Sequence, residues 1–97
     1  YIPHTTAAVT INEGYDPGVA EDLLRRLELL APHRRDTAGG ADHHDEGNSD
    51  SHLKASLIGA HALVAISDGA LQLGRWQRIF LCEFDGPRER QIWVSGT

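Results

Sequence analysis

From Thr5 to Asn12 the chain alternates. Thr5, Ala7, Val9 and Ile11 fall on one side of an extended segment, and His4, Thr6, Ala8, Thr10 and Asn12 on the other. The spacing predicts a strand over 5–12 with one face apolar enough for a core. The second face carries small polar groups and a histidine, which suit the wall of a pocket as well as plain half-exposure. The period then changes. Val19, Ala20, Leu23, Leu24, Leu27, Leu30 and Ala31 recur at helical spacing, with Glu21, Asp22, Arg25, Arg26 and Glu28 mainly on the wet side. Asp16-Pro17 offers a capping carboxylate followed by proline in the first turn, and Pro32 helps to end the helix near Ala31. Residues 33–47, "HRRDTAGGADHHDEG", lose all periodicity and read as a loop, long enough to suggest a functional role. A second helix is expected over Ser49 to Ile58, capped by Asn48 or Ser49 and ended by Gly59. On it Leu53 and Leu57 share one face and His52 and Ser56 another.

The remainder reads as sheet. "ALVAI" (62–66) passes through Ser67-Asp68-Gly69 into "ALQL" (70–73), and Asp-Gly is a hairpin turn pair. "WQRIFLCEF" (76–84) is apolar on both faces, as a central strand would be, "DGPR" (85–88) is a turn, and "RQIWV" (90–94) is a last strand. Strands and helices do not alternate as βαβ units, so the pattern predicts an α+β fold, with about two helices against mixed or antiparallel sheets. At 97 residues one domain over 1–97 is expected.

The formal charge of −5 disfavours nucleic acid and anionic membrane surfaces as partners. No apolar run is long enough to span a bilayer and no signal peptide is visible, which points to a cytoplasmic protein. The single cysteine forms no internal disulfide and fits a reducing compartment. Cys82 lies among Trp76, Phe80 and Phe84 and reads as packing rather than as a nucleophile. The chain has no methionine and opens directly into strand, so a missing N-terminal part is expected.

Six histidines are many for this length, and the span "HHDEGNSDSHLKA" (43–55) concentrates three of them with acids, an asparagine and a lysine. Two readings stand. In one, His44 and His52 are ligands to a divalent metal, zinc or magnesium, with His4 completing the set and an open position left for substrate. In the other, the span is a solvated polar loop making ordinary hydrogen bonds. The spacing matches no standard zinc pattern. Asp50-Ser51-His52 holds triad residue types without triad geometry, which excludes a serine hydrolase. Glu13 and Asp16 offer a carboxylate pair for acid–base or metal chemistry, although capping accounts for Asp16. Lys54, Arg75 and Arg88 are candidate phosphate contacts, each equally at home as a solvated charge.

"PHTTAAVTINE" (3–13), "HDEGNSDSHLKASLIG" (44–59), "DGALQLGRWQRIFLCEFDGPR" (68–88) and the closing "IWV" together resemble the YjbQ family, in that family's order and through nearly the whole chain. The resemblance implies a YjbQ-like α+β fold, additional strand and helix ahead of residue 1, and a homotrimer. It implies an activity like that of a secondary thiamine-phosphate synthase, in which a hydroxymethylpyrimidine diphosphate is coupled to a thiazole phosphate and pyrophosphate leaves. Carried over, Thr5, Thr6, Asn12, Asn48, Lys54, Trp76, Gln77 and Arg88 would bind a small phosphorylated substrate. His44, His52 and Glu13 would be catalytic, and His4, His44 and His52 would hold the metal. Lys54, Arg88 and the ion would neutralise the leaving diphosphate while Trp76 stacks on the pyrimidine. Arg75 stands where the family has a small threonine, and His61 where it has a small hydroxyl residue. Two alternatives are a non-catalytic trimeric module for a small ligand or metal, and a metal-dependent phosphoester hydrolase.

Overall fold

The computed structural model describes residues 1–33 and 47–96, and residues 36–37 and 40–41 by their backbone. The elements are β1 (Ala7–Glu13), α1 (Pro17–Leu30), β2 (Asp36–Thr37), β3 (Gly40–Ala41), α2 (Ser49–Ile58), β4 (Ile66–Ser67), β5 (Ala70–Leu71) and β6 (Gln77–Glu83). All three ladders, β1–β6, β2–β3 and β4–β5, are antiparallel and two-stranded. The class is α+β, as the pattern predicts.

Helix α1 begins where its capping chemistry places it, whereas Asn48 at the head of α2 makes no side-chain cap and its side-chain amide donates to Asp85 instead. The Asp16 carboxylate accepts the Gly18 N–H at 2.9 Å and Pro17 occupies the first turn. Gly59, at φ 105°, ends α2 in a conformation that favours glycine, and its N–H donates to Ala55 O at 2.9 Å. Asp68 and Gly69, at φ 50° and 74°, turn the β4–β5 hairpin as an Asp-Gly pair does.

β1 organises the molecule. On one edge it pairs with β6 in a register running from Ala7↔Glu83 to Glu13↔Gln77. On the other edge its Val9 N–H donates to Gly59 O at 3.1 Å, where the chain leaves α2. Its Ala7 and Val9 form the core with Ile2, and Ala62 packs against them. Thr10 and Asn12, on the opposite face, line an apolar cleft of about 160 Å³ together with Leu23, Leu24, Phe80 and Cys82. Burial raises the Cys82 thiol above its ordinary pKa, which suits a packing role.

Three expectations change in three dimensions. Residues 62–66 shorten to the two-residue β4, because the hairpin turn supports only the pairs Ile66↔Leu71 and Ser67↔Ala70. Residues 90–94 form no ladder; they lie along the start of the chain, where Trp93 N–H donates to Tyr1 O at 2.9 Å. β6 is not a central strand, since among the described residues its ladder partner is β1 alone and Ile79 and Leu81 are exposed. The α1 stripe is likewise only partly covered: Leu27 and Ala31 are buried, but Leu30 is 72% exposed.

Candidate functional site

Antiparallel pairing sets the start of β1 beside the end of β6, and α2 begins against that same end. Three bonds hold the corner. Phe84 N–H donates to Thr6 O at 3.1 Å, Ser51 Oγ donates to Phe84 O at 2.6 Å, and Asn48 Nδ2 donates to Asp85 Oδ2 at 2.8 Å. The corner encloses an open polar hollow of about 350 Å³, walled by Pro3, His4, Thr5 and Thr6, by Asn48 and His52, and by Asp85, Arg88 and Arg90. His4, Thr5 and His52 also wall a second hollow beside it, which runs along α2 to Ser56. Six residues expected at the site from sequence therefore meet in one place: His4, Thr5, Thr6, Asn48, His52 and Arg88.

Two charged wall residues, Asp85 and Arg90, were not among those expected. Asp85 accepts from Arg88 Nη2 at 2.9 Å, and Arg88 Nε closes the turn onto Asp85 O at 2.9 Å. Arg90 is nearly buried. Its Nε and Nη2 grip the Glu83 carboxylate at 2.7 and 2.5 Å, and Nη2 also donates to Thr6 Oγ1 at 2.9 Å. The Arg90 hydrogen bonds to Glu83, with the Asp85 N–H and the arginine charge, outweigh burial and hold Glu83 well below the ordinary carboxylate value, at about 2. No sequence signal marks Arg90: it heads the segment 90–94, which reads as strand, and its partner Glu83 is seven positions away. Asp85 reads only as a turn residue.

The remaining expected residues lie elsewhere. Asn12, Glu13, Trp76 and Gln77 sit at the other end of the β1–β6 ribbon, roughly 20 Å away at about 3.4 Å per strand residue. There Glu13 Oε2 accepts the N–H groups of Tyr15 and Asp16, at 3.1 and 2.8 Å, in the turn leading to α1. Gln77 Oε1 accepts the Gly74 N–H at 2.7 Å. Trp76 meets Tyr15 edge to face at 5.5 Å, and the Arg75 guanidinium lies 4.8 Å from its ring centroid. Within one chain this tryptophan does not reach the hollow.

Lys54 turns away from the hollow too. It is buried between α1 and α2, donating to Glu28 at 2.6 Å and to Asp50 at 3.1 Å. His33 Nδ1 lies 2.8 Å from the other Asp50 oxygen, and the His33 N–H donates to Glu28 at 2.8 Å. Burial alone would raise Asp50, but the hydrogen bonds from His33 and Lys54 outweigh it and hold its pKa below the ordinary value. Lys54 is shifted upward because its two carboxylate partners outweigh its own burial. The cluster joins the end of α1 to α2.

His44 lies outside the described residues. Among the described residues no group of three His, Cys, Asp or Glu side chains is placed to hold a metal ion. His4 is a poor ligand as it stands, because its Nε2 accepts the Gln91 N–H at 2.8 Å. The described donors thus do not fit a resident zinc or magnesium ion. No described helix is long and apolar enough to cross a membrane.

Fold and corner together define a small α+β protein whose polar hollow is built between the start of one strand, the turn after its partner and the head of a helix. The family model described as UPF0047 protein YjbQ-like matches residues 1–97, and the chain belongs to that family. It is 47% identical over 95 residues to the UPF0047 protein YugU of Bacillus subtilis, covering 98% of this chain and 69% of that one. It is 48% identical over 95 residues to a UPF0047 protein of Methanocaldococcus jannaschii, covering 98% and 65%. Among solved structures, the conserved hypothetical protein TT1486 of Thermus thermophilus superposes with a TM-score of 0.87 at 54% identity, over 96% of this chain and 71% of that one. A YjbQ/UPF0047 protein of Clostridium acetobutylicum does so at 0.84 and 48% identity, over 93% and 66%. The chain thus spans about two thirds of the length of these relatives.

Proposed function

We propose that the hollow at the start of β1 binds the phosphoryl end of a small phosphorylated metabolite, and that the protein is an enzyme acting on that molecule. The supporting observation is the meeting of His4, Thr5 and Thr6 with Asn48, His52 and Arg88 around a space of small-ligand size. Arg88 commits two N–H groups to Asp85 and keeps the rest of its fork for a ligand. Thr5, Thr6 and Asn48 present the neutral polar groups that orient a phosphate. His52, on α2, is the imidazole that takes or returns a proton.

Thiamine-phosphate synthesis, the reaction the family resemblance suggests, is one form of this chemistry. A new bond joins the thiazole nitrogen to the pyrimidine methylene, the carbon–oxygen bond to the diphosphate breaks, and pyrophosphate leaves with the electron pair. Arg88 stabilises the charge on the leaving group. Phosphoester hydrolysis would use the same wall with water as acceptor. The metal that the resemblance implies would need ligands beyond the described set. We further propose that the protein works as a homotrimer; the exposed apolar side chains of α1, β6 and the C-terminal segment support association.

Calorimetric titration with pyrophosphate, before and after chelation, tests the reading. Arg88→Ala should weaken binding about tenfold or more, the worth of a charge-assisted contact. Absence of pyrophosphate binding, or equal affinity in Arg88→Ala, overturns it. Product analysis with phosphorylated substrates then separates transfer, hydrolysis and binding without turnover.

A further inference from the structure

The hollow contains a histidine, His4, one of whose ring nitrogens is assigned its role by a neighbouring amide. A backbone amide can only donate, and the Gln91 N–H points at His4 Nε2 from 2.8 Å. Nε2 must therefore present its lone pair, and in the neutral ring the proton sits on Nδ1. A metal-bound histidine would give this same lone pair to the ion and keep its hydrogen on the other nitrogen; at His4 the Gln91 amide already takes the lone pair. Here one nitrogen is already occupied as an acceptor and the other carries hydrogen.

The amide does not hold that position by chance packing. Arg90, the residue before Gln91, is fixed by both oxygens of Glu83 and by Thr6, whose carbonyl it also reaches at 3.2 Å. Thr6 and His4 belong to one short segment, and Trp93 N–H pins the same two stretches together at Tyr1 O. The guanidinium thus sets the register of residues 90–91 against 4–6.

We propose that Arg90, through the Gln91 amide, is a positioning residue that locks His4 in its Nδ1–H tautomer, so that His4 serves the hollow as a hydrogen-bond donor to an anion and not as a metal ligand. This rests on the reading of the hollow as the ligand site, and it changes that site's chemistry from metal-centred to anion-centred. The groups around the ring agree with it: Arg88 and the Thr5 hydroxyl can donate to an anion, Arg90 is spent on Glu83 and Thr6, and Asp85 is held by Arg88 and Asn48.

The test is nitrogen-15 NMR of the histidine rings in the whole chain, with His4 assigned by its disappearance in His4→Gln. Without ligand, His4 should show Nε2 at the unprotonated position and Nδ1 protonated, and Gln91→Pro, which deletes the amide hydrogen, should abolish that preference. If the proline variant fails to fold, the wild-type spectrum alone decides. Adding zinc should leave His4 unmoved, whereas adding pyrophosphate should shift its Nδ1 signal, and His4→Gln should bind pyrophosphate about tenfold more weakly. An Nε2–H tautomer in the free protein, or a zinc-induced shift at His4 Nε2, overturns the inference. A correct tautomer with no pyrophosphate binding leaves the lock standing and removes the ligand reading instead.

Discussion

Glu83 and Arg90 form the strongest charge pair of the site, and its pH dependence has a definite sign. The carboxyl is depressed from 4.5 to about 2 in the folded protein, with the Arg90 hydrogen bond as the main cause. Its contribution to stability is therefore complete above pH 4.5, fades as the pH falls, and is gone below about 2. Urea denaturation along that range should show stability falling with pH, and Glu83→Gln should flatten part of the slope. An unchanged slope in the variant would mean that the pair contributes nothing. Lys54 and Trp76 are different cases of residues that looked available for substrate. The lysine is enclosed by Glu28 and Asp50, and the tryptophan, though exposed, lies against Tyr15 and Arg75 at the far end of the ribbon. Composition and spacing identify an ionisable or aromatic group, but its partner is chosen by whichever distant element folds against it.

Elements whose causes are local were legible from the chain. α1 starts at Asp16-Pro17 because a carboxylate and a fixed φ act within three residues, and the β4–β5 turn follows from Asp68-Gly69 alone. Asp16→Ala should accordingly cost about 1 kcal/mol in thermal or chemical unfolding, and a loss below a few tenths would show that Glu13 and Pro17 set the helix start without it. The extent of strands was not legible in the same way. Residues 62–66 and 90–94 are apolar enough for strands, yet a ladder needs a partner in register. β1 provides one for β6; β5 reaches only Ile66 of the first segment, and among the described residues no ladder forms on 90–94. The site shows the same division. His4, Thr5 and Thr6 could be read as one polar stretch and Asn48 with His52 as another, whereas Arg90 became visible only when the ribbon brought it to Thr6.

As a whole the molecule is elongated. It measures 52 × 27 × 22 Å, with a radius of gyration of 15.4 Å against about 12.5 Å for a compact chain of this length. Elongation explains the thin core and the apolar side chains left outside it, with Leu63 at 91% and Val94 at 88% exposure. A chain with so much uncovered apolar surface is expected to associate, and sedimentation should return three chains per particle at micromolar concentration. A monomer across that range would remove the trimer. Association also bears on the ribbon's far end, where Trp76 and Gln77 can meet a hollow only if it belongs to a neighbouring copy.

By itself the amino-acid order determined the α+β class, both helices, the hairpin turn and the family, because caps, turn pairs and long ordered motifs act over neighbouring residues. Tertiary structure alone decided which polar groups share a space. It separated Glu13 and Trp76 from His4 and His52 by the length of a strand, drew Lys54 into an ion cluster, and brought Arg90 and the Gln91 amide to the pocket. The physical reason is that strand register and helix docking fix contacts between residues dozens of positions apart, and no local preference encodes those distances.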